Sequence, residues 1–156
     1  MQAVSQISLD RFRIRRAVAA DHEELVDIWT RSIRATHKFL GEAAVQGLPA
    51  AVRDSALSYL ELWVLCPRSS RPVGLIGLSG ARVEALYIAP EWIGLGGGSR
   101  LLNHARALKG RLRVEVDEQN PGAMRFCLAC GFEVVDRSDV DAHDRPYPVL
   151  RMRQAV

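Results

Sequence analysis

The residues best suited to chemistry in this chain are the glycines of Gly94-Leu95-Gly96-Gly97-Gly98-Ser99-Arg100. They follow the strand-like run Val83 to Ile88 after the turn Ala89-Pro90-Glu91-Trp92, and they lead into Leu101, Leu102, Ala105 and Leu108 at helical spacing. A glycine loop that opens a helix leaves unpaired N–H groups at the positive end of the helix dipole. Such a loop binds phosphate or pyrophosphate without a charged side chain. Two well-known phosphate loops fit poorly. A P-loop ends in Gly-Lys-Ser/Thr, and here Gly98 precedes Ser99-Arg100. A dinucleotide loop needs G-x-G-x-x-G, whose third glycine position is Ser99, and its βαβ unit opens the fold, whereas five elements precede it here. Asp117, near the end of a later strand, is what that second reading has for a ribose-binding acid. A plain glycine turn is the bland alternative, but three adjacent glycines before a helix cost folding entropy. A third reading is the pyrophosphate of an acyl-coenzyme A.

Two other clusters carry polar or reactive groups. Asn120 stands before Pro121 at the start of a helical run, the arrangement of an N-cap followed by proline at the first helical position. Cys127-Leu128-Ala129-Cys130 is a C-x-x-C. A zinc site would need further cysteine or histidine ligands nearby, and a redox motif belongs at a helix start after a strand. Ala123, Phe126, Cys127 and Cys130 instead recur at i, i+3, i+4, i+7 and share one helical face. That spacing predicts two small thiols on the core or cofactor side.

The elements that must position these residues follow from periodicity. Phe12 and Ile14 alternate with arginines as a first strand, and Asp21 is placed to cap a helix carrying Leu25, Ile28, Trp29 and Ile33. Trp29 reads as core or as a wall of the substrate site. A helical stretch from Gly41 to Tyr59 is interrupted at Gly47-Leu48-Pro49. Strands are predicted at Leu62 to Cys66, Val73 to Leu78, Val83 to Ile88, Leu112 to Val116, Phe132 to Val135 and Tyr147 to Met152. The glycine-led helix ends at Lys109-Gly110 and the Asn120-capped helix at Gly131. The order β-α-α-β-β-β-α-β-α-β-β predicts a mixed sheet with helices on its faces.

The chain has 156 residues, enough for one compact domain, here 11–156 after a lead-in at 1–10. Hydrophobic residues make up 48% and charged residues 25%, as in water-soluble domains, and no apolar run approaches the roughly 18 residues of a membrane span. Met1 to Asp10 lacks the basic and apolar regions of a secretory signal. Three cysteines without framework spacing predict free thiols in a reducing, cytoplasmic setting. A net charge of +3 mildly favours anionic ligands, and the absence of a dense basic run argues against nucleic acid as partner.

Leu86-Tyr87-Ile88-x-Pro90, then Gly94-x-Gly96-x-Gly98, then Asn120-x-x-Ala123-x-x-Phe126-x-x-x-x-Gly131-Phe132 resembles the GNAT superfamily of N-acetyltransferases over nearly the whole chain. Ala35-Thr36-His37-x-Phe39-Leu40, Glu118-Gln119-Asn120 and Asp144-Arg145-Pro146-Tyr147-Pro148 resemble, more narrowly, small bacterial members described as acting on peptidyl lysine. The resemblance implies an acyl-CoA N-acyltransferase fold, a mixed seven-stranded sheet flanked by about four helices. It implies acetyl-CoA as cosubstrate, no metal, and a small-molecule or peptide amine as acceptor, in a monomer or homodimer with no membrane partner. Backbone N–H groups around Leu86, Tyr87 and Ile88 would polarise the thioester oxygen, and residues Gly94 to Arg100 with Asn120, Ala123 and Phe126 would hold coenzyme A. Glu115 matches a place where some relatives keep a general base, and Glu84 on the neighbouring strand is the second candidate; either could equally be a solvated or ion-paired carboxylate. His37 falls where the acceptor site is usually lined, or serves only as a loop or capping residue.

Two departures from the family pattern bear on mechanism. The glycine loop usually begins with Arg or Gln, and here that position is Ile93. A tyrosine usually follows the position of Phe126 and protonates the departing thiolate, and here Cys127 stands there. A thiol or water could supply that proton. A catalytically weak acyl-CoA-binding sensor or interaction domain is therefore the alternative expectation to an enzyme that transfers acetyl by direct attack.

Overall fold

The alternation in Glu61–Cys66 decides how the two faces of the sheet are covered. Leu62, Val64 and Cys66 point into one core and Leu65 into the other, so this strand is buried on both sides. A computed structural model describes residues 12–36, 41–68, 71–142 and 144–156. Its strands are β1 (Arg13–Arg16), β2 (Glu61–Cys66), β3 (Gly74–Ser79), β4 (Arg82–Ile88), β5 (Arg113–Asp117), β6 (Phe132–Ser138) and β7 (Val149–Gln154). They form one seven-stranded sheet in the order β1-β2-β3-β4-β5-β7-β6. Every pairing is antiparallel except β4 with β5.

On one face lies α1 (His22–Thr36), whose Leu25, Ile28, Trp29 and Ile33 meet Leu62, Val64, Leu75 and Ala85 of the sheet. The predicted break in the following helical stretch is present. It runs as α2 (Glu42–Gln46), α3 (Leu48–Ala51), a π-helical turn (Val52–Ala56) and α4 (Leu57–Tyr59). The other face carries α5 (Gly97–Lys109) and α6 (Pro121–Ala129), packed on Leu65, Ile76, Leu78, Leu150 and Met152. Leu101, Leu102 and Ala105 of α5 are buried as their spacing predicts, but Leu108 is half exposed, because the last turn of α5 runs past the edge of its core.

Asp21 does not cap α1 in the expected way. It sits in a 3₁₀ turn (Ala19–Asp21), where its carboxylate accepts from the Val18 N–H at 2.9 Å and from both terminal nitrogens of Arg15 at 2.8 and 2.9 Å. That partly buried pair ties β1 to the entry of α1 and holds the Asp21 carboxyl below the usual carboxylate range.

The pairing of β4 with β5 is short, and the site depends on it. Only Arg82↔Arg113 and Val83↔Val114 are paired. On the opposite side of β4 the register steps from Leu78↔Val83 to Gly77↔Ala85, which makes Glu84 the extra residue of a β-bulge. A bulge bends its strand and increases local twist. Beyond it β4 and β5 diverge, so a fork opens in the middle of the sheet.

Candidate active site

The fork opens a cavity of about 680 Å³ between β4, β5, the glycine loop and the ends of α1 and α6. Its walls include Leu86, Tyr87 and Ile88, the loop residues Gly94, Gly96, Gly97, Gly98 and Ser99, and Asn120, Ala123, Phe126 and Cys127. Residues far apart in sequence thus converge on one cavity. Leu95 and Arg100 are not among its walls. Leu95 packs against the α5–α6 core, and an Arg100 guanidinium nitrogen lies 3.3 Å from the Phe12 carbonyl oxygen.

Backbone polarity inside the fork follows from strand alternation. The Ala89 N–H donates to the Val73 carbonyl, on the β3 side, at 2.8 Å. By alternation the N–H groups of Leu86 and Ile88 point to the β5 side, where no strand pairs with them. The Ser32 hydroxyl lies 3.2 Å from the Ile88 carbonyl oxygen and is placed to donate to it, which fixes this stretch of β4 against α1. What remains is a short row of donors facing the vertex, the arrangement needed to stabilise a developing oxyanion.

The loop explains its own glycines. Gly94 and Gly96 have φ of +88° and +84°, a left-handed backbone that side chains rarely adopt. Gly96 caps α5 without any side-chain hydrogen bond, so the first amides of that helix stay available at the cavity wall. A Cβ on Gly97 would come within 2.6 Å of a Leu65 side-chain carbon, and one on Gly98 within 3.0 Å of the Phe126 ring. Across the cavity, the Asn120 side-chain oxygen accepts from the Ala123 N–H at 3.2 Å, so it is a helix cap.

Both candidate bases lie at the vertex. Glu84 and Glu115 occupy the first positions beyond the last paired residues, Val83 and Val114, and both line the cavity. Arg82 reaches Glu84 at 3.3 Å and Glu115 at 3.0 Å, and Arg151 lies 3.6 Å from the same oxygen of Glu115. Glu115 therefore meets two guanidinium groups and Glu84 meets one.

Cys127 is buried at the cavity wall, and burial, with a smaller push from Cys130, raises its thiol to about 11. It stays protonated at neutral pH, yet is a weaker acid than an ordinary thiol near 9.0. Cys130 lies 3.8 Å from the Ser99 hydroxyl, and no group of three metal-ligating residues occurs among the described residues. Tyr87 has its hydroxyl pushed well above the usual range by burial, with the Asp117 charge acting in the same direction.

Trp29 is not a wall of the cavity. It is buried in the α1 core with its ring 5.0 Å from that of Tyr87, so it supports a wall residue from behind. His37 lies outside the described residues. Sequence reasoning missed Arg82 and Ser32. The position of Arg82 two residues before Glu84 on a strand was a usable signal, since side chains at i and i+2 share a face; Ser32 offered none.

Residues 22–132 match the Acetyltransferase (GNAT) family, and the chain belongs to that family. It is 42% identical over 139 residues to the peptidyl-lysine N-acetyltransferase YjaB of Escherichia coli strain K12, covering 89% of this chain and 94% of that protein. It is 40% identical over 139 residues to YjaB of Salmonella typhimurium strain LT2, covering 89% of this chain and 95% of that protein. The solution structure of the apo form of YjaB from Escherichia coli superposes with a TM-score of 0.84 at 41% identity, covering 91% of this chain and 96% of that one. A PaiA N-acetyltransferase from Thermoplasma acidophilum in complex with coenzyme A shares the fold, with a TM-score of 0.75 at 19% identity over 93% of this chain and 99% of that one. No helix among the described residues is long and apolar enough to cross a membrane.

Proposed function

We propose that this protein transfers an acetyl group from acetyl-CoA to a primary amine, and that the amine is the side chain of a lysine in a peptide or protein. The observation that carries this reading is the joint opening of two donor sets on one cavity. The amide groups at the start of α5 suit the pyrophosphate, and the unpaired Leu86 and Ile88 N–H groups suit the thioester oxygen. The lysine acceptor rests on the names of the YjaB relatives.

The chemistry then runs as a direct attack within a ternary complex. A lysine amine has a pKa of about 10.4 and must lose a proton before it can attack. Glu84, tied by one guanidinium against two for Glu115, is the carboxylate freer to swing toward that proton, directly or through water. The amine nitrogen bonds to the acetyl carbon, the carbon–sulfur bond breaks, and the nitrogen gives its surplus proton to water as the amide forms. The coenzyme A thiolate then collects a proton from water or, less readily, from Cys127. An acyl-CoA sensor is the reading that remains if turnover is absent.

Free thiol release from acetyl-CoA, followed across lysine peptides, protein N-termini, polyamines, amino acids and aminoglycosides, tests the proposal. Release that depends on a lysine peptide, with the acetyl group recovered on its side chain, is the expected result. Acetyl-CoA binding without release toward any amine would leave the sensor reading instead.

A further inference from the structure

A row of alternating charges crosses the middle of the sheet on its α1 face. It runs Glu84, Arg82, Glu115, Arg151 and Asp136, from β4 through β5 and β7 to β6, and each neighbour is linked by an ion pair of 2.8 to 3.6 Å. Two of its links are direct cross-strand partners, Glu115↔Arg151 and Arg151↔Asp136. Leu150 and Met152 point into the core on the other face, so by alternation Arg151 lies opposite them.

Arg82 holds a special place in this row. It belongs to the first of the only two β4–β5 pairs, one position before the fork opens, and its side chain reaches forward to a carboxylate on each arm. Its Nε faces Glu84 and one terminal nitrogen faces Glu115, the two directions that a planar guanidinium offers at once. A lysine could not meet both in this way. The pairs are partly exposed, at 38% for the Arg82 side chain, 26% for Glu84 and 24% for Glu115. Ion pairs in such a setting contribute little to stability. A second, smaller cavity of about 210 Å³ adjoins the same vertex, with Asp117, Asp141 and Arg145 among its walls.

We propose that Arg82 is a positioning residue for acetyl transfer: by bridging Glu84 and Glu115 across the fork, it fixes the Glu84 carboxylate where the acceptor amine must give up its proton. Glu115, held from both sides by Arg82 and Arg151, is the anchor of that arrangement. The inference rests on the acetyltransferase reading above and adds to it a residue that is not among the walls of the main cavity.

Initial rates of coenzyme A release with an N-terminally blocked lysine peptide test it. Arg82→Gln should lower kcat by about tenfold or more, with KM for acetyl-CoA within about twofold of wild type and the melting temperature little changed. Arg82→Lys keeps the charge without the fork and should fall between the two. In a Glu84→Gln background the Arg82→Gln step should cost less than about threefold, because the two residues serve one proton transfer. Wild-type kcat in Arg82→Gln, an equal loss in both backgrounds, an Arg82→Lys rate no better than that of Arg82→Gln, or a collapse of melting temperature would each overturn the inference. A wild-type protein that turns over no amine would instead remove the acetyltransferase reading beneath it.

Discussion

At the scale of single residues, burial decides more than residue type. Cys127 is legible in the sequence as a thiol on one face of a helix, but its acidity is not. The push to about 11 comes from the cavity wall that encloses it. The sign of the consequence follows from linkage. The folded value exceeds the ordinary one of 9.0, so the neutral thiol stabilises the native state fully below about pH 9, and that contribution is lost as pH rises toward 11. Urea unfolding across that window should show the wild type losing more stability than Cys127→Ala. Identical pH profiles would mean that the thiol is not buried in solution. The carboxylates were likewise visible as candidates. Their difference was not, because the partners that separate them, Arg82 and Arg151, come from β4 and β7, and only the sheet order brings Arg151 beside Glu115.

At the scale of elements, the helix ends carry the site, and their signals are local enough to read. Glycine with positive φ before α5, and Asn-Pro before α6, state their own geometry. Asn120 still has two readings, a cap alone or a cap that also touches coenzyme A, and two substitutions separate them. Asn120→Ala should lose about 1 kcal/mol of stability with the cap. Asn120→Asp keeps the cap, so its stability should stay near wild type while its added negative charge, at the wall of a cavity meant for a polyanion, lowers acetyl-CoA affinity. Unaltered affinity in Asn120→Asp, measured by calorimetry, would reduce Asn120 to a cap. Strand boundaries were less legible. The edge strand β6 runs to Ser138, beyond the expected end at Val135, because its partners on β7 continue to Val149. The bulge at Glu84 was invisible, since it is defined by a register with β3 and not by any local residue pattern.

At the scale of the whole molecule, packing on the two faces of one sheet fixes both arms of the fork. The α1 core takes Ala85 and packs on Tyr87 of β4, while the α5–α6 core takes Val83 of β4 and Val116 of β5 and packs on Leu86, Ile88 and Val114. The mixed sheet was legible because its strands alternate or run apolar in short bounded segments. The insertion of β7 between β5 and β6 was not, because it depends on long-range pairing. The claim on which everything else stands is that this opening receives acetyl-CoA with its pyrophosphate on the glycine loop. Gly98 is the position to test, since a side chain there would press on Phe126 from inside the cavity. Calorimetric titration of acetyl-CoA into Gly98→Val, with its fold verified by circular dichroism, should show affinity reduced by at least about tenfold relative to wild type. Equal affinity in the two proteins would take the loop out of the cofactor site and contradict the account.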